Sequence, residues 1–180
     1  MEENTLNLPK LYQVLEEYAA AVMNTYKQNL TTDKNISSGA LLQSLTWQID
    51  SNDKGYIVSL NLAEYWKYQE YGVQGMDSKL NQNHTSVHSY ARNRKYPPIS
   101  AIRNWIQVKP IIPRAYKGKL PTINQLAFLI SRSIGNKGLK AHNNLGNAVD
   151  QVNATYKAKI IQAFNQDIHD NMGILLKDLF

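Results

Sequence analysis

The sequence predicts an α+β fold, in which a small antiparallel β-sheet is packed by a long N-terminal helix, two central helices and a long C-terminal helix. Apolar and polar residues alternate with period two between Leu45 and Leu62, which indicates two neighbouring strands. Apolar residues at helical spacing flank these strands on both sides. Because a two-stranded ribbon alone is marginally stable in water, we expect the helices to cover it.

The length and composition predict one globular domain over residues 1–180. Of the 180 residues, 43% are hydrophobic and 19% are charged, so the chain can bury a sizeable core. It contains no cysteine, which excludes disulfides, thiolate metal ligands and cysteine nucleophiles. The acidic, polar N-terminal segment is unlike a secretory signal, and no apolar run approaches the roughly 20 residues of a membrane span. We therefore expect a soluble protein.

The N-terminal helix is predicted from Leu8 to Leu30. Pro9 suits its first turn, and the segment TTDKN ends its pattern. A short helical turn from Ala40 to Ser44 then leads into the first strand. The apolar stripe of the long helix consists of Leu11, Val14, Leu15, Tyr18, Val22 and Tyr26.

The predicted strands form a hairpin. Leu45, Trp47 and Ile49 alternate with polar residues in the first strand, and residues 51–55 supply turn chemistry. The second strand continues the alternation with Tyr56, Val58, Leu60 and Leu62.

An aromatic segment, AEYWKYQEYG, follows the hairpin from Ala63 to Gly72. It is too aromatic for a plain solvent-exposed loop. One interpretation is a buried corner of the core, and the other is an interface between subunits, because large amphipathic rings are enriched in both. The aromatic residues concerned are Tyr65, Trp66, Tyr68 and Tyr71.

A long polar loop is predicted from Val73 to Lys95, because this segment has no periodicity. Pro98 then begins a helix that Pro110 and Pro113 end. Its apolar face consists of Ile99, Ile102, Trp105 and Ile106.

Thr122 is a suitable N-cap for the second central helix, and Gly135 is predicted as its C-terminus. The stripe of this helix consists of Ile123, Leu126, Ala127, Ile130 and Ile134. The last helix keeps helical spacing from Leu145 to about Gly173 and is followed by an apolar end, ILLKDLF. We expect that end to dock on its own domain or on a neighbour, since an exposed apolar tail promotes aggregation.

The positive charge is concentrated in the middle of the chain. The formal net charge is +6, and no acidic residue lies between Asp77 and Asp150. This asymmetry indicates a polyanionic neighbour, although lysines on an ordinary basic surface are an equal alternative.

The sequence has no recognisable catalytic or metal-binding motif. His84 and His88 have a spacing that could bind zinc on a helix, but they lie in the predicted loop without a nearby carboxylate. Gly118 and Lys119 resemble part of a phosphate-binding loop, but Pro113 and Leu120 occupy two of the other motif positions. An enzyme would therefore lack an identifiable nucleophile, metal site or cofactor loop, and we expect no catalytic residue, metal or cofactor.

The order of these elements resembles the tail-completion and head-tail joining proteins of tailed bacteriophages. The likeness extends from about Ser38 to Ala141, and the flanking helices agree with it. The segments that carry it are SGALLQSL, YWKYQEYG, AIRNWI and LAFLISRSI. The long polar loop departs from the shorter members of the family, which leaves open whether the protein closes the head, ends the tail or acts as an adaptor.

The resemblance implies a curved sheet and a structural role in the virion, without an active site. The protein would be made in the host cytoplasm and form a closed ring of roughly six or twelve copies in the neck or tail, around the DNA path and next to portal, neck or tail proteins. The expected DNA-facing residues are Arg92, Arg94, Lys95, Arg114, Lys117 and Lys119. The expected subunit interface consists of Tyr65, Trp66, Tyr68, Tyr71, Ile174, Leu175, Leu176, Leu179 and Phe180.

The alternative function is a basic nucleic-acid-binding protein that is not an enzyme and works as a monomer or dimer. In that case Tyr90, Tyr96 and Trp105 would form a stacking platform for bases.

Overall fold

The computed structural model describes residues 8–33, 39–52, 55–77, 79, 86–90, 96–109, 111, 113, 115 and 118–177. Within these ranges the helices are α1 (Pro9–Thr32), α2 (Ala40–Ser44), α3 (Trp66–Tyr71), α4 (Ile99–Val108), α5 (Ile123–Lys137) and α6 (Asn144–Lys177). The strands are β1 (Thr46–Asn52), β2 (Gly55–Asn61), β3 (Val73–Gln74) and β4 (Gly138–Leu139). The predicted α+β class is confirmed, with an antiparallel hairpin and long helices near both ends of the chain.

The chain divides into two compact units. The first contains Met1–Lys34, Ser44–Leu62 and Asn144–Phe180, and the second contains Asn35–Gln43 and Ala63–Asn143. The long helices and the hairpin thus belong to the first unit, and the two central helices belong to the second. That residues 1–180 form one domain stays a prediction.

In the first unit, α1 and α6 pack side by side in opposite directions. Near one end of the pair, the Asn29 side-chain amide donates a 3.0 Å hydrogen bond to the Asn144 carbonyl. Further along, the Tyr18 hydroxyl donates to Asn153 Oδ1 at 3.0 Å. Burial of each large apolar side chain between α1 and α6 stabilises the fold by about 1.5–3 kcal/mol. The buried hydrophobic residues of the pair are Ala19, Val22, Met23, Tyr26, Leu30, Ala148, Val152 and Ala163.

The predicted hairpin is confirmed, and its register places the apolar residues on one face. Trp47 pairs with Leu60, and Ile49 pairs with Val58. Helix α1 covers this face. Tyr12 of α1 meets Tyr56 of β2 edge to face, with the ring centroids 5.6 Å apart. The helix therefore supplies the cover that an isolated hairpin lacks.

The second unit has a core between α4 and α5. Ile102 and Ile106 of α4 are buried against Ala127 of α5, and Trp105 packs against the same cluster. Thr122 caps α5 as predicted, because its hydroxyl accepts from the Gln125 N–H at 3.3 Å while Gln125 Oε1 accepts from the Thr122 N–H at 2.9 Å. This reciprocal arrangement is a capping box.

The predicted C-terminus of α5 at Gly135 is wrong. The helix continues to Lys137 and is ended by Gly138, which has a φ of 79°. Gly135 lies inside the helix and is buried. This position requires glycine because the Tyr96 ring lies against it: a Cβ atom there would lie 2.3 Å from Cδ1 of Tyr96.

The predicted loop from Val73 to Lys95 begins inside a strand. Val73 of β3 pairs with Leu139 of β4. Just beyond β3, the Met76 N–H donates to the Gly135 carbonyl at 2.9 Å, so this segment also satisfies the C-terminal end of α5. The pairing depends on a contact between distant segments, which the local sequence pattern does not reveal. Residues 78, 80–85 and 91–95 of the predicted loop lie outside the described residues.

The last helix extends through Lys177, a turn further than predicted. No helix in the described part of the chain has both the length and the apolar character that a membrane crossing requires.

Candidate subunit interface

The short helix α3 presents the aromatic segment. It begins after Tyr65, where the Trp66 N–H donates to the Ala63 carbonyl at 3.0 Å. It ends at Gly72, whose φ of 66° redirects the chain into β3. Because Gly72 lies in the left-handed region, a larger residue there would be strained.

Three tyrosines of this segment lie on the surface. The exposed fractions of Tyr65, Tyr68 and Tyr71 are 40%, 41% and 47%. Trp66 is half-buried, and its ring centroid lies 5.9 Å from that of Tyr71. The interpretation of this segment as a buried corner is therefore wrong for the tyrosines. Glu70, with an exposed fraction of 5%, occupies a buried position of the helix instead.

His88 joins the tyrosines from a second segment. Its ring centroid lies 4.8 Å from that of Tyr68 in an edge-to-face arrangement and 6.4 Å from that of Tyr71. We call the group of Tyr65, Tyr68, Tyr71 and His88 the tyrosine surface. The sequence did not predict His88 as a member, because it lies 17 positions after Tyr71 along the chain.

Hydrogen bonds hold the His88 segment next to α3. The buried Ser86 hydroxyl donates to the Gly72 carbonyl at 2.7 Å and accepts from the His88 N–H at 3.1 Å. The Gln74 side chain donates to the Ser86 carbonyl at 2.6 Å, and the Gln74 N–H donates to the His88 carbonyl at 2.8 Å. These hydrogen bonds join the His88 segment to the chain that follows α3, so less backbone conformational entropy is lost when a partner binds.

Burial acts on the pKa of two tyrosines in or near this surface. Desolvation raises the pKa of Tyr65 above its usual value, and a backbone hydrogen bond with Leu41 opposes this effect. Desolvation also raises the pKa of Tyr90, which follows His88 by two residues in the sequence. A neutral phenol can both donate and accept a hydrogen bond, as residues at interfaces commonly do.

The C-terminal part of the predicted interface is only partly described. Ile174, Leu175 and Leu176 belong to α6, so their backbone is helical. Leu179 and Phe180 lie outside the described residues. Their place in an interface stays a prediction.

The predicted DNA-facing set is described at one position. Lys119 is exposed. The other members, Arg92, Arg94, Lys95, Arg114 and Lys117, lie outside the described residues, so a common basic face stays a prediction.

The predicted stacking platform for bases is not supported at Trp105, whose side chain packs against the core of the second unit. Tyr96 is 36% exposed, and Tyr90 is partly buried. The zinc spacing of His84 and His88 cannot be followed, because His84 lies outside the described residues. Among the residues that are described, no group of three or more His, Cys, Asp or Glu side chains is placed to hold a metal ion.

Comparisons of the chain with protein-family models, with curated proteins and with solved structures return no match. The resemblance to phage neck proteins therefore stays a prediction from the sequence.

Proposed function

We propose that this chain is a structural virion protein of a tailed bacteriophage, which forms a closed ring in the neck around the DNA path. It would act there as a head-tail connector, an adaptor or a tail-completion component. The resemblance of the sequence to tail-completion and head-tail joining proteins suggests the class, and the tyrosine surface is the observation that carries the proposal.

The tyrosine surface has the chemistry of an assembly contact. Tyrosine is enriched in interfaces because a large rigid ring buries much apolar area and its hydroxyl still finds a polar partner. Three tyrosines with exposed fractions of 40–47% on one short segment leave that area open to water in a single chain. A neighbouring subunit would cover it.

A ring follows if the tyrosine surface of one subunit meets a different surface of the next. Such head-to-tail contacts close when the rotation between neighbours divides a full turn. The apolar C-terminal end from Ile174 to Phe180 is the other candidate surface. Free subunits can stay monomeric under this proposal, because assembly on the particle supplies the neighbouring contacts.

The proposal is tested in a tailed phage whose genome encodes the chain. Removing the gene should stop the joining of heads and tails, and a plasmid copy should restore it. A copy that carries Tyr68→Ala and Tyr71→Ala should fail to restore tailed particles, as counted by electron microscopy.

The matched control is Phe164→Ala, which removes a similarly exposed ring, 43% exposed, from α6. It should restore tailed particles normally. Normal tailed particles without the gene would overturn the virion role, and full rescue by the double tyrosine variant would overturn the assigned interface.

A further inference from the structure

Arg132 on α5 lies beside two aromatic rings, and none of the described acidic residues forms an ion pair with it. Its guanidinium carbon lies 4.9 Å from the ring centroid of Tyr96 and 5.9 Å from that of Phe128. The side chain is exposed, and within the described residues it makes no ion pair. The sequence adds to this isolation, since no Asp or Glu lies between Asp77 and Asp150.

The rings that flank Arg132 are held in place by α5 itself. Gly135 leaves room for the Tyr96 ring, because any Cβ atom at this position would lie 2.3 Å from Tyr96 Cδ1. One residue further along the chain, the Pro97 carbonyl accepts a 2.7 Å hydrogen bond from the Ser131 hydroxyl. Tyr96 is therefore held against α5. The ring beneath Arg132 is already in place before a ligand binds, so its ordering adds no cost to binding.

A guanidinium over an aromatic ring keeps its N–H edge available. Arginine stacks through its flat face and donates through its edge, where two parallel hydrogen bonds match the oxygens of a phosphate or a carboxylate. The chain segment that contains Arg132 carries Lys and Arg residues but no acid between Asp77 and Asp150. Such an excess of positive charge attracts polyanions, which favours a repeating phosphate backbone over a single carboxylate.

We infer that Arg132, supported by Tyr96 and Phe128, binds a phosphate group of a nucleic-acid backbone. The contact reads no base and positions the nucleic acid without regard to sequence. All three residues belong to one chain, so this phosphate contact does not require the closed ring of subunits. A solution experiment therefore tests it separately from the proposed virion role.

The test uses the full chain and a fluorescently labelled DNA duplex of random sequence, with affinity measured by anisotropy between low and moderate salt. Arg132→Gln should weaken DNA binding by about fivefold to tenfold. The slope of the logarithm of the association constant against the logarithm of the salt concentration should become shallower by about 0.9, which is the value for one lost phosphate contact. Arg132→Lys keeps the charge but not the planar fork, so it should fall between Arg132→Gln and the unmodified protein.

The matched control is Arg103→Gln, which removes the same charge from an exposed position on α4. It should change the affinity by less than about twofold. Equal effects of the two glutamine variants would overturn the inference, because general charge would then explain binding. Unchanged DNA binding by Arg132→Gln together with lost head-tail joining would also overturn it, in favour of a carboxylate on a neighbouring subunit.

Discussion

The carboxylate of Asp167 on α6 accepts a 2.7 Å hydrogen bond from the backbone N–H of Leu11 in the first turn of α1. The neighbouring N–H of Lys10 donates to the other carboxylate oxygen at 3.3 Å. The N-cap residue of α1 is Leu8, which makes no side-chain cap of its own. Asp167 thus caps α1 from a distant part of the chain, and its negative charge lies at the positive end of the helix dipole.

Replacing Asp167 should destabilise the first unit. The Asp167 side chain is 2% exposed, and the two backbone donors that it caps are partly buried, so Asp167→Ala should cost about 2 kcal/mol. Asp167→Asn keeps one acceptor oxygen and should cost about 1 kcal/mol. Urea denaturation measures both variants. The control Asp150→Ala removes an exposed acid from the same helix and should change stability by less than about 0.5 kcal/mol; an Asp167→Ala variant as stable as this control would contradict the capping role.

The ion pair next to this cap should give a pH-dependent contribution to stability. Lys10 Nζ lies 2.6 Å from Asp170 Oδ2. The hydrogen bond from Lys10, followed by the attraction of its charge, lowers the pKa of Asp170, and the hydrogen bond to Asp170 raises the pKa of Lys10. The carboxylate contribution is therefore present above the unfolded pKa of Asp, about 3.9, and is lost as the pH falls through the lower folded value. The lysine contribution is present below about 10.4 and is lost as the pH rises through its raised value.

The measurement is the difference in melting temperature between the unmodified protein and Asp170→Asn. This difference should be positive at neutral pH and disappear in strong acid, where the carboxylate is protonated. It should be small and should shrink further in high salt, because both side chains are about half exposed. A difference that grows on acidification would contradict the assigned pKa directions.

Two glycines should respond to alanine in opposite ways. A Cβ atom at Gly138 would lie 2.2 Å from the Val73 carbonyl oxygen, and its φ of 79° disfavours any side chain. Gly138→Ala should therefore destabilise the second unit by roughly 2–4 kcal/mol. Gly173 lies in α6, and a Cβ atom there would have no neighbouring atom within 4 Å, so Gly173→Ala should stabilise the helix by roughly 0.5–1 kcal/mol. Thermal denaturation measures both, and similar effects from the two changes would contradict the close approach of β3 and β4.

Deleting Ile174–Phe180 should separate folding from assembly. The α6 residues in the described hydrogen bonds with α1 lie between 144 and 170, so the shortened chain should keep its helical circular dichroism and most of its stability. Under the proposed function it should nevertheless fail to restore tailed particles, because it lacks an apolar docking surface. Normal particles with the shortened chain would show that this end does not build the assembly.

Local patterns predicted those parts of the fold that local forces determine. The hairpin register follows from alternation, and the Thr122 cap follows from a reciprocal pair three residues apart. The role of Gly135 could not be predicted, because Tyr96 occupies the space beside it from a distant segment. Asp167 resembles any polar residue on a helix until the fold brings α1 beside it.

The tyrosine surface shows the same limit at the candidate site. A cluster of amphipathic rings has one composition whether it fills a core or faces a partner, so the sequence left both interpretations open. Exposure of Tyr65, Tyr68 and Tyr71 decides against the core. His88 could be recognised only after the backbone contacts of Ser86 had placed its segment beside α3.

The most direct test of the proposed ring is an electron cryomicroscopy reconstruction of the neck of a tailed phage that encodes this chain. We expect a closed ring of identical copies around the DNA path, in which the α1–α6 pair and the hairpin fit the density and each tyrosine surface contacts the next subunit. Absence of the chain from the neck and tail, or a ring in which Tyr68 and Tyr71 face solvent, would contradict the account.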